Sequence, residues 1–336
     1  MKKAIPELSP LLVLLLMSVS AIAQQGPGGV GTRDGSSLLR FWGQAGQPGD
    51  SLNAAQEVLR WTNLSGNGRH ALSASKPPAL SGSINGWEAL YFSGSDFLNI
   101  AQDPALPAFT CYWVARSSGS GSGTLMGSLS PGNPGYIDIS LNNNHLPTVS
   151  LGSAQANFTS PVPAAGAVIG ALTWNGSSLG SRVNGVRSLQ TFATATGALA
   201  AADRKIGSNG DLAHFFTGHL AEYILFDQTL NLAQHTLVEN YLQARYRIAI
   251  ANDRYTEPAG YGFDVAGIGR ELDGSHGSAA SAGLTVSSAT GSPGFLRNPG
   301  DYLMIGHNMP ASAGYVAEAL SGLSDLRWSR EWYLDL

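Results

Sequence analysis

The chain has 336 residues, of which 12% are charged and 42 are glycine, and its formal net charge is −4. This length exceeds the usual single-domain size of about 100–200 residues, so two domains are expected. The low, slightly acidic charge excludes the basic character by which nucleic-acid-binding domains are recognised. The glycine content favours short strands joined by turns over long helices.

The N-terminal residues have the pattern of a secretory signal peptide. Two lysines precede an apolar run over residues 11–17, and a stretch of small residues then ends in Ala21-Ile22-Ala23. This order predicts a signal peptide over residues 1–23, cleaved after Ala23. The apolar run is too short to cross a bilayer, which takes about 20 residues, and no other segment predicts a membrane helix. We therefore expect an exported protein, secreted or at the cell surface. Its charge is −5 after cleavage, because two lysines and one glutamate are removed.

Short apolar or alternating segments, separated by turn residues, recur from residue 37 onward. Residues 24–36, which precede them, are rich in glycine and predict a flexible linker. Asn175-Gly176 and Asn184-Gly185 are typical hairpin turns, and strands at such regular spacing indicate a two-sheet sandwich. The predicted strands cover residues 37–42, 58–61, 89–92, 109–114, 125–126, 136–141, 149–151, 168–174, 180–183 and 220–226.

One helix and one cysteine complete this first domain. Asn231 can cap the helix, with Gln234 at the capping-box position, and its predicted apolar stripe consists of Leu237, Val238, Tyr241 and Leu242. Cys111 is the single cysteine, so an internal disulfide is excluded. Because it lies in an apolar run, we expect a buried and unreactive thiol.

Three segments resemble the bacterial LamG-like domains, which have the laminin G or concanavalin A-like jelly-roll fold. They are Trp61–Gly68, Leu90–Leu98 and Gly218–Asp227, followed by the capped helix. The resemblance covers about residues 29–248. It implies an all-β fold in which a two-sheet antiparallel jelly-roll sandwich, residues 37–248, carries one C-terminal helix packed on it. It also implies an extracellular protein, since many members bind glycans or other surface ligands.

The remaining residues, 252–336, resemble a small uncharacterised β domain that follows such jelly rolls in type IX-secreted proteins. The segments that carry this resemblance are Phe263–Arg270 and Arg327–Trp332, and one last strand is predicted over residues 326–335. Proteins of this kind usually continue into further domains and a C-terminal sorting signal, so the resemblance implies that this sequence is either truncated or unusually short.

Catalytic patterns are weak in this sequence. Gly176-Ser177-Ser178-Leu179-Gly180 fits the G-x-S-x-G pattern, but a nucleophile elbow joins a strand to a helix, and here two strands are predicted. Glu222 and Asp227 are five residues apart, so in one strand they point to opposite faces. A structural role for Glu222 is the favoured interpretation, with a carboxylate in a cleft as the alternative. We predict no catalytic residue and no enzymatic activity.

Ligand-binding candidates lie in predicted turns. A sugar site would need an aromatic platform beside polar groups, and the candidates are Trp87, the tryptophan placed most like a loop residue, with Asp96, Asn143 and Asn144. Calcium, which needs clustered oxygen ligands, is the one cofactor considered, through Asp96, Asp138 and Asn142. In calcium-binding relatives an aspartate begins the strand matched here by residues 136–141, but this chain has Pro134-Gly135 there. His214, His219 and His235 do not form a metal-binding pattern.

The sequence therefore predicts an exported recognition module whose partner is a polysaccharide or an extracellular protein. The alternatives are a structural or adhesin spacer and the accessory domain of a polysaccharide hydrolase.

Overall fold

The computed structural model has an all-β architecture with a single α-helix among the residues that it describes. These are residues 26–336 other than 74, 119–122, 134, 143–145, 153, 159–165, 192–198, 257–259, 289–293, 309–314, 321, 322 and 329. The predicted signal peptide lies outside them. In this described part, no helix has the length and apolar character needed to cross a bilayer.

Two large antiparallel sheets form the sandwich. The eight-stranded sheet has the order β15-β14-β13-β8-β17-β6-β5, with β1 pairing β17, and the nine-stranded sheet has the order β12-β11-β10-β9-β16-β7-β4-β3-β2. The strands of the first sheet are β1 (Leu39–Gln44), β5 (Ala79–Ile84), β6 (Trp87–Ser93), β8 (Phe109–Ser117), β13 (Val168–Trp174), β14 (Ser178–Val183), β15 (Val186–Thr191) and β17 (Thr217–Phe226). Those of the second are β2 (Ser51–Leu52), β3 (Val58–Trp61), β4 (Ala71–Leu72), β7 (Leu98–Asp103), β9 (Gly123–Ser128), β10 (Ile137–Leu141), β11 (Pro147–Leu151), β12 (Ala154–Asn157) and β16 (Ala202–Ile206).

The main core lies between the two sheets and is built from large side chains. Trp61, Trp113 and Trp174 are at most 1% exposed, and each such side chain buries a large apolar area. Cys111 is fully buried among them, as predicted, and burial raises the pKa of its thiol to about 12. The thiol therefore stays protonated and unreactive at neutral pH.

The helix α1 (Leu232–Tyr246) covers part of the outer face of the eight-stranded sheet. Its capping box is confirmed. The Asn231 side chain accepts from the Gln234 backbone N–H at 2.9 Å, and the Gln234 side chain accepts from the Asn231 backbone N–H at 3.1 Å. The predicted stripe is buried in a second apolar cluster between the helix and the sheet. The predicted fold class, a sandwich with one packed helix plus further β structure, is confirmed.

The second β region follows the helix. It contains β18 (Phe263–Glu271), β19 (Gly274–His276), β20 (Ser278–Ser281), β21 (Leu284–Ser287), β22 (Tyr302–His307), β23 (Tyr315–Leu320), β24 (Leu323–Trp328) and β25 (Trp332–Asp335). Val265, Tyr302 and Met304 belong to the apolar cluster under the helix, so this region packs on α1. The domain boundary near residue 252 stays a prediction.

The prediction of a single last strand over residues 326–335 is wrong. β24 pairs with β23, whereas β25 pairs with β22 in a different sheet. Between them, the buried Arg330 donates from Nη1 to the Ala282 carbonyl at 2.9 Å. The chain changes sheets there, which sequence alternation alone cannot reveal.

The glycine-rich segment predicted as a flexible linker is instead packed against the folded chain, because residues 26–30 are buried. The Gly28 carbonyl accepts from the Gly267 backbone at 3.1 Å, and the Gly29 carbonyl is 2.9 Å from His276 Nε2. A Cβ on Gly28 would lie 2.6 Å from the Leu237 carbonyl. The glycines thus let the backbone approach both α1 and the second β region closely.

Replacing Gly28 by alanine is therefore expected to lower the free energy of unfolding by about 2–4 kcal/mol, through backbone strain and overpacking. Gly86→Ala is the matched control. Its φ is +91° against +69° for Gly28, yet nothing lies within 4 Å of a Cβ added there, so we expect a loss of only about 1–2 kcal/mol. Urea unfolding measures both; equal losses would mean that the close approach to α1 is unimportant.

Candidate functional site

A cavity of about 190 Å³ opens on the outer face of the eight-stranded sheet, beside the first turn of α1. Its floor is formed by β13, β14 and β15, which the helix leaves uncovered. The helix contributes Leu232 and His235, and the second β region contributes Asp273. Three segments distant in sequence thus meet at one place.

Strand register explains the shape of the floor. Thr173, Gly180 and Leu189 are cross-strand partners on β13, β14 and β15, and all three line the cavity. Gly180 has no side chain, and a Cβ added there would find its nearest neighbours at 3.9 Å. Space therefore exists in the middle of the floor because residue 180 is glycine.

The hairpin before β14 brings the serine of the G-x-S-x-G pattern to the cavity edge. The Asn175 side chain accepts from the backbones of Ser177 and Ser178, at 3.0 and 2.7 Å, and Gly176 has φ +94°. The predicted hairpin is confirmed, since Ser178 begins a strand rather than a helix. Ser178 nevertheless lines the cavity, a placement that the sequence did not predict.

His235 is the buried titratable group of the cavity wall. Its Nδ1 is hydrogen-bonded to the Tyr112 hydroxyl, and its Nε2 lies 3.3 Å from Thr173 Oγ1. Burial, reinforced by the positive charges of Arg182 and Arg187, lowers the pKa of His235 to about 3. The imidazole is therefore neutral and a weak base at neutral pH, and no hydrogen bond joins it to Ser178 among the bonds of the described residues.

Charged groups surround the same space. Arg182 forms two hydrogen bonds with Glu239, at 2.6 and 3.1 Å, and both side chains are buried. Asp273, at the turn between β18 and β19, accepts from the Leu232 backbone with both oxygens at 3.1 Å. The carboxylate thus sits at the positive end of the helix dipole. The cavity combines donors, acceptors and short apolar surfaces, which suits a small polar ligand.

Trp87, the predicted sugar platform, lies elsewhere and is not in a loop. It is the first residue of β6 and is half-buried. The Arg245 guanidinium stacks 3.8 Å from its ring centroid, and Tyr246 and Phe263 contact the ring edge-on. One face of the indole is therefore already occupied, a contact that no local sequence pattern announces.

The other predicted ligands are dispersed over turns and strands. Asp96 accepts from the Ser93 backbone in the turn after β6, and Asn142 accepts from the Leu146 backbone at 3.0 Å. Asn143 and Asn144 lie outside the described residues. Neither Trp87 nor Asp96 lines the cavity, and their role in ligand binding stays a prediction.

Asp138 lies on β10, away from the sandwich core. Its carboxylate accepts from Ser140 at 2.6 Å, Thr124 at 3.1 Å and Tyr136 at 3.3 Å. Burial raises the pKa of Asp138, and these three donors oppose the shift. No three His, Cys, Asp or Glu side chains in the described ranges group as metal ligands. Calcium binding stays a prediction.

Glu222 is fully buried between the eight-stranded sheet and α1. Its carboxylate accepts from Trp42 Nε1 at 2.7 Å and from the hydroxyls of Tyr241 and Tyr246 at 2.9 and 2.8 Å. Burial raises the pKa of Glu222, against the opposing effects of Arg245 and these donors. A carboxyl group so enclosed links strand to helix and has no exposed surface for a substrate.

No protein-family model matches this chain, and no curated protein matches its sequence. Among solved structures, it is similar to the CBM40 of Ruminococcus gnavus IT-sialidase bound to alpha2,3 sialyllactose, with 12% identity and a TM-score of 0.36, over 45% of this chain and 95% of that one. The SAP-like pentraxin of Limulus polyphemus is 12% identical, with a TM-score of 0.40, and the match covers 50% of this chain and 88% of the pentraxin chain. A mutant GH54 a-l-arabinofuranosidase is 12% identical, with a TM-score of 0.47, and the match covers 64% of this chain and 56% of the arabinofuranosidase chain. Such values do not transfer a ligand or an activity to this chain.

Proposed function

We propose that this protein is an exported recognition module that binds a carbohydrate, without turnover, in the cavity between β13–β15 and α1. The polar lining around Gly180 is the observation that carries the proposal. Export is supported by the signal-peptide pattern of residues 1–23.

The size and chemistry of the cavity support a saccharide. Its volume of about 190 Å³ is below the roughly 300–1,000 Å³ of pockets that enclose drug-sized ligands, so it suits one sugar unit or the end of a glycan chain. Thr173, Ser178 and Asp273 supply hydroxyl and carboxylate groups, while Leu189 and Leu230 supply apolar surface. A sugar ring presents hydroxyl edges and C–H faces that match this mixture.

The absence of turnover in the proposal rests on the state of the titratable groups. General acid–base catalysis at neutral pH favours a pKa near 7, but that of His235 is lowered to about 3. Glycoside hydrolysis requires two carboxyl groups flanking the sugar bond, and Asp273 is the one carboxylate among the residues that line this cavity.

Filling the cavity tests the proposal. The full chain is screened on a glycan array, with and without calcium, and the best ligand is titrated against Gly180→Leu. We expect an affinity loss of at least about tenfold, or ~1.4 kcal/mol, with unchanged urea unfolding. Gly277→Leu is the matched control, because it also has open space at Cβ, with its nearest neighbour at 4.0 Å, and lies outside the cavity.

Three outcomes contradict the proposal. Binding that survives in Gly180→Leu but is lost in a folded Trp87→Ala variant would place the sugar site at Trp87 instead. Silence on every glycan would favour the structural or adhesin spacer. Release of reducing ends from a bound polysaccharide would overturn the absence of turnover.

A further inference from the structure

The charged side chains around the cavity are compensated to different degrees. Of its lining side chains, only Arg182, Arg187 and Asp273 carry charge at neutral pH, since His235 is neutral. Whether the cavity favours a neutral or an ionic sugar depends on how each of these three is compensated.

Arg182 is already neutralised. Its guanidinium holds Glu239 through two bonds, of 2.6 and 3.1 Å, and the Glu239 side chain is 1% exposed. Turning Arg182 towards a ligand would leave a buried carboxylate without its cation, which is strongly unfavourable. Arg182 is therefore not available as the principal contact for an anion.

Asp273 is compensated differently. Both of its oxygens are 3.1 Å from the backbone nitrogen of Leu232, in the first turn of α1. That turn carries the positive end of the helix dipole, which stabilises a carboxylate there. The negative charge of Asp273 is thus partly balanced by the helix.

Arg187 differs from the other two charged side chains. It lies exposed on β15, directly across from Arg182 in the strand register, and no ion pair involves it among those formed by the described residues. Because Arg182 is held by Glu239, Arg187 is the guanidinium at this cavity that can turn to a ligand. A guanidinium pairs well with a planar or tetrahedral oxyanion.

We infer that the cavity recognises an acidic sugar unit, whose carboxylate or sulfate group pairs with Arg187 while its ring lies over Gly180. This inference rests on the proposed function, because it names the ligand class for the same cavity. The neutral part of the ligand contacts Thr173 and Leu189, and Asp273 accepts from a ring hydroxyl.

The test compares matched sugar pairs by NMR titration of the full chain. D-Glucuronate is set against D-glucose for the carboxylate, and galactose 6-sulfate against galactose for the sulfate. We expect the acidic member of at least one pair to bind at least about tenfold tighter, and Arg187→Gln to abolish this preference. Arg60→Gln removes an exposed arginine on the nine-stranded sheet and should leave the preference unchanged.

The outcomes separate the two proposals. Equal binding of neutral and acidic sugars, lost in Gly180→Leu, would overturn the acidic-sugar inference and leave the proposed function standing. A preference for acidic sugars that persists in Gly180→Leu would indicate general surface attraction and overturn the inference as well. If neither sugar type binds, and the glycan array is silent, both proposals fail.

Discussion

Replacing Asp103 by alanine is expected to lower the free energy of unfolding by about 3–5 kcal/mol, the range observed when one partner of a buried ion pair is removed. Asp103 pairs with Arg204 in the interior of the sandwich, and they are 3% and 0% exposed. Arg204 also donates to the Pro104 carbonyl at 2.8 Å, but that bond does not neutralise its charge. Urea denaturation at neutral pH measures the loss.

A surface pair provides the control. Arg40 and Asp227 also form a salt bridge, but their side chains are 36% and 21% exposed, so Asp227→Ala should lower the free energy of unfolding by no more than about 1 kcal/mol. The double variant Asp103→Leu/Arg204→Met should recover part of the loss, since apolar replacements of both partners remove the unpaired charge. A similar loss for Asp103→Ala and Asp227→Ala would contradict the buried, unsolvated state of the Asp103 pair.

The second large effect is expected at Glu222, where alanine should lower the free energy of unfolding by about 3–5 kcal/mol. The substitution leaves the indole N–H of Trp42 and the hydroxyls of Tyr241 and Tyr246 without their acceptor. Each buried donor left unsatisfied costs about 1–3 kcal/mol. Denaturant unfolding followed by tryptophan fluorescence measures this loss.

Glu88→Ala is the comparison on the same sheet. Glu88 is exposed on β6, and exposed substitutions away from such networks change stability by about 0.5 kcal/mol or less. Glu222→Gln keeps the side-chain volume and one acceptor oxygen. Its loss of unfolding free energy should therefore fall between those of Glu88→Ala and Glu222→Ala. A Glu222→Ala protein that remained as stable as the parent, yet lost a sugar-releasing activity, would instead support the hydrolase alternative.

Local features of the sequence predicted most of the sandwich. The alternation around Asp138, the Asn175-Gly176 turn and the capping box of Asn231 each depend on residues within a few positions of one another, and each appears in the structure. Such signals are preserved because neighbouring residues alone decide the strand face, the turn type or the helix start.

The parts that sequence did not predict depend on contacts between distant segments. Gly28 has the sequence pattern of a linker, because glycine has no side chain whose character would indicate packing. Only the folded structure shows that its backbone lies against the backbone of Leu237. Asp273 reaches the cavity through a hairpin of the second β region, and Arg187 gains significance only when its cross-strand neighbour Arg182 is known to be paired. A single sequence carries no signal for such contacts between distant segments.

The buried segment of residues 26–30 also constrains the order in which the chain can be completed. It emerges from the ribosome early, yet its partner Gly267 is made only after the whole sandwich and the helix. Until then the segment lacks the backbone partner that Gly267 provides, even though its other neighbour, Leu237 of α1, has already been synthesised. The contact between the first described residues and the second β region can therefore form only after most of the chain has been synthesised.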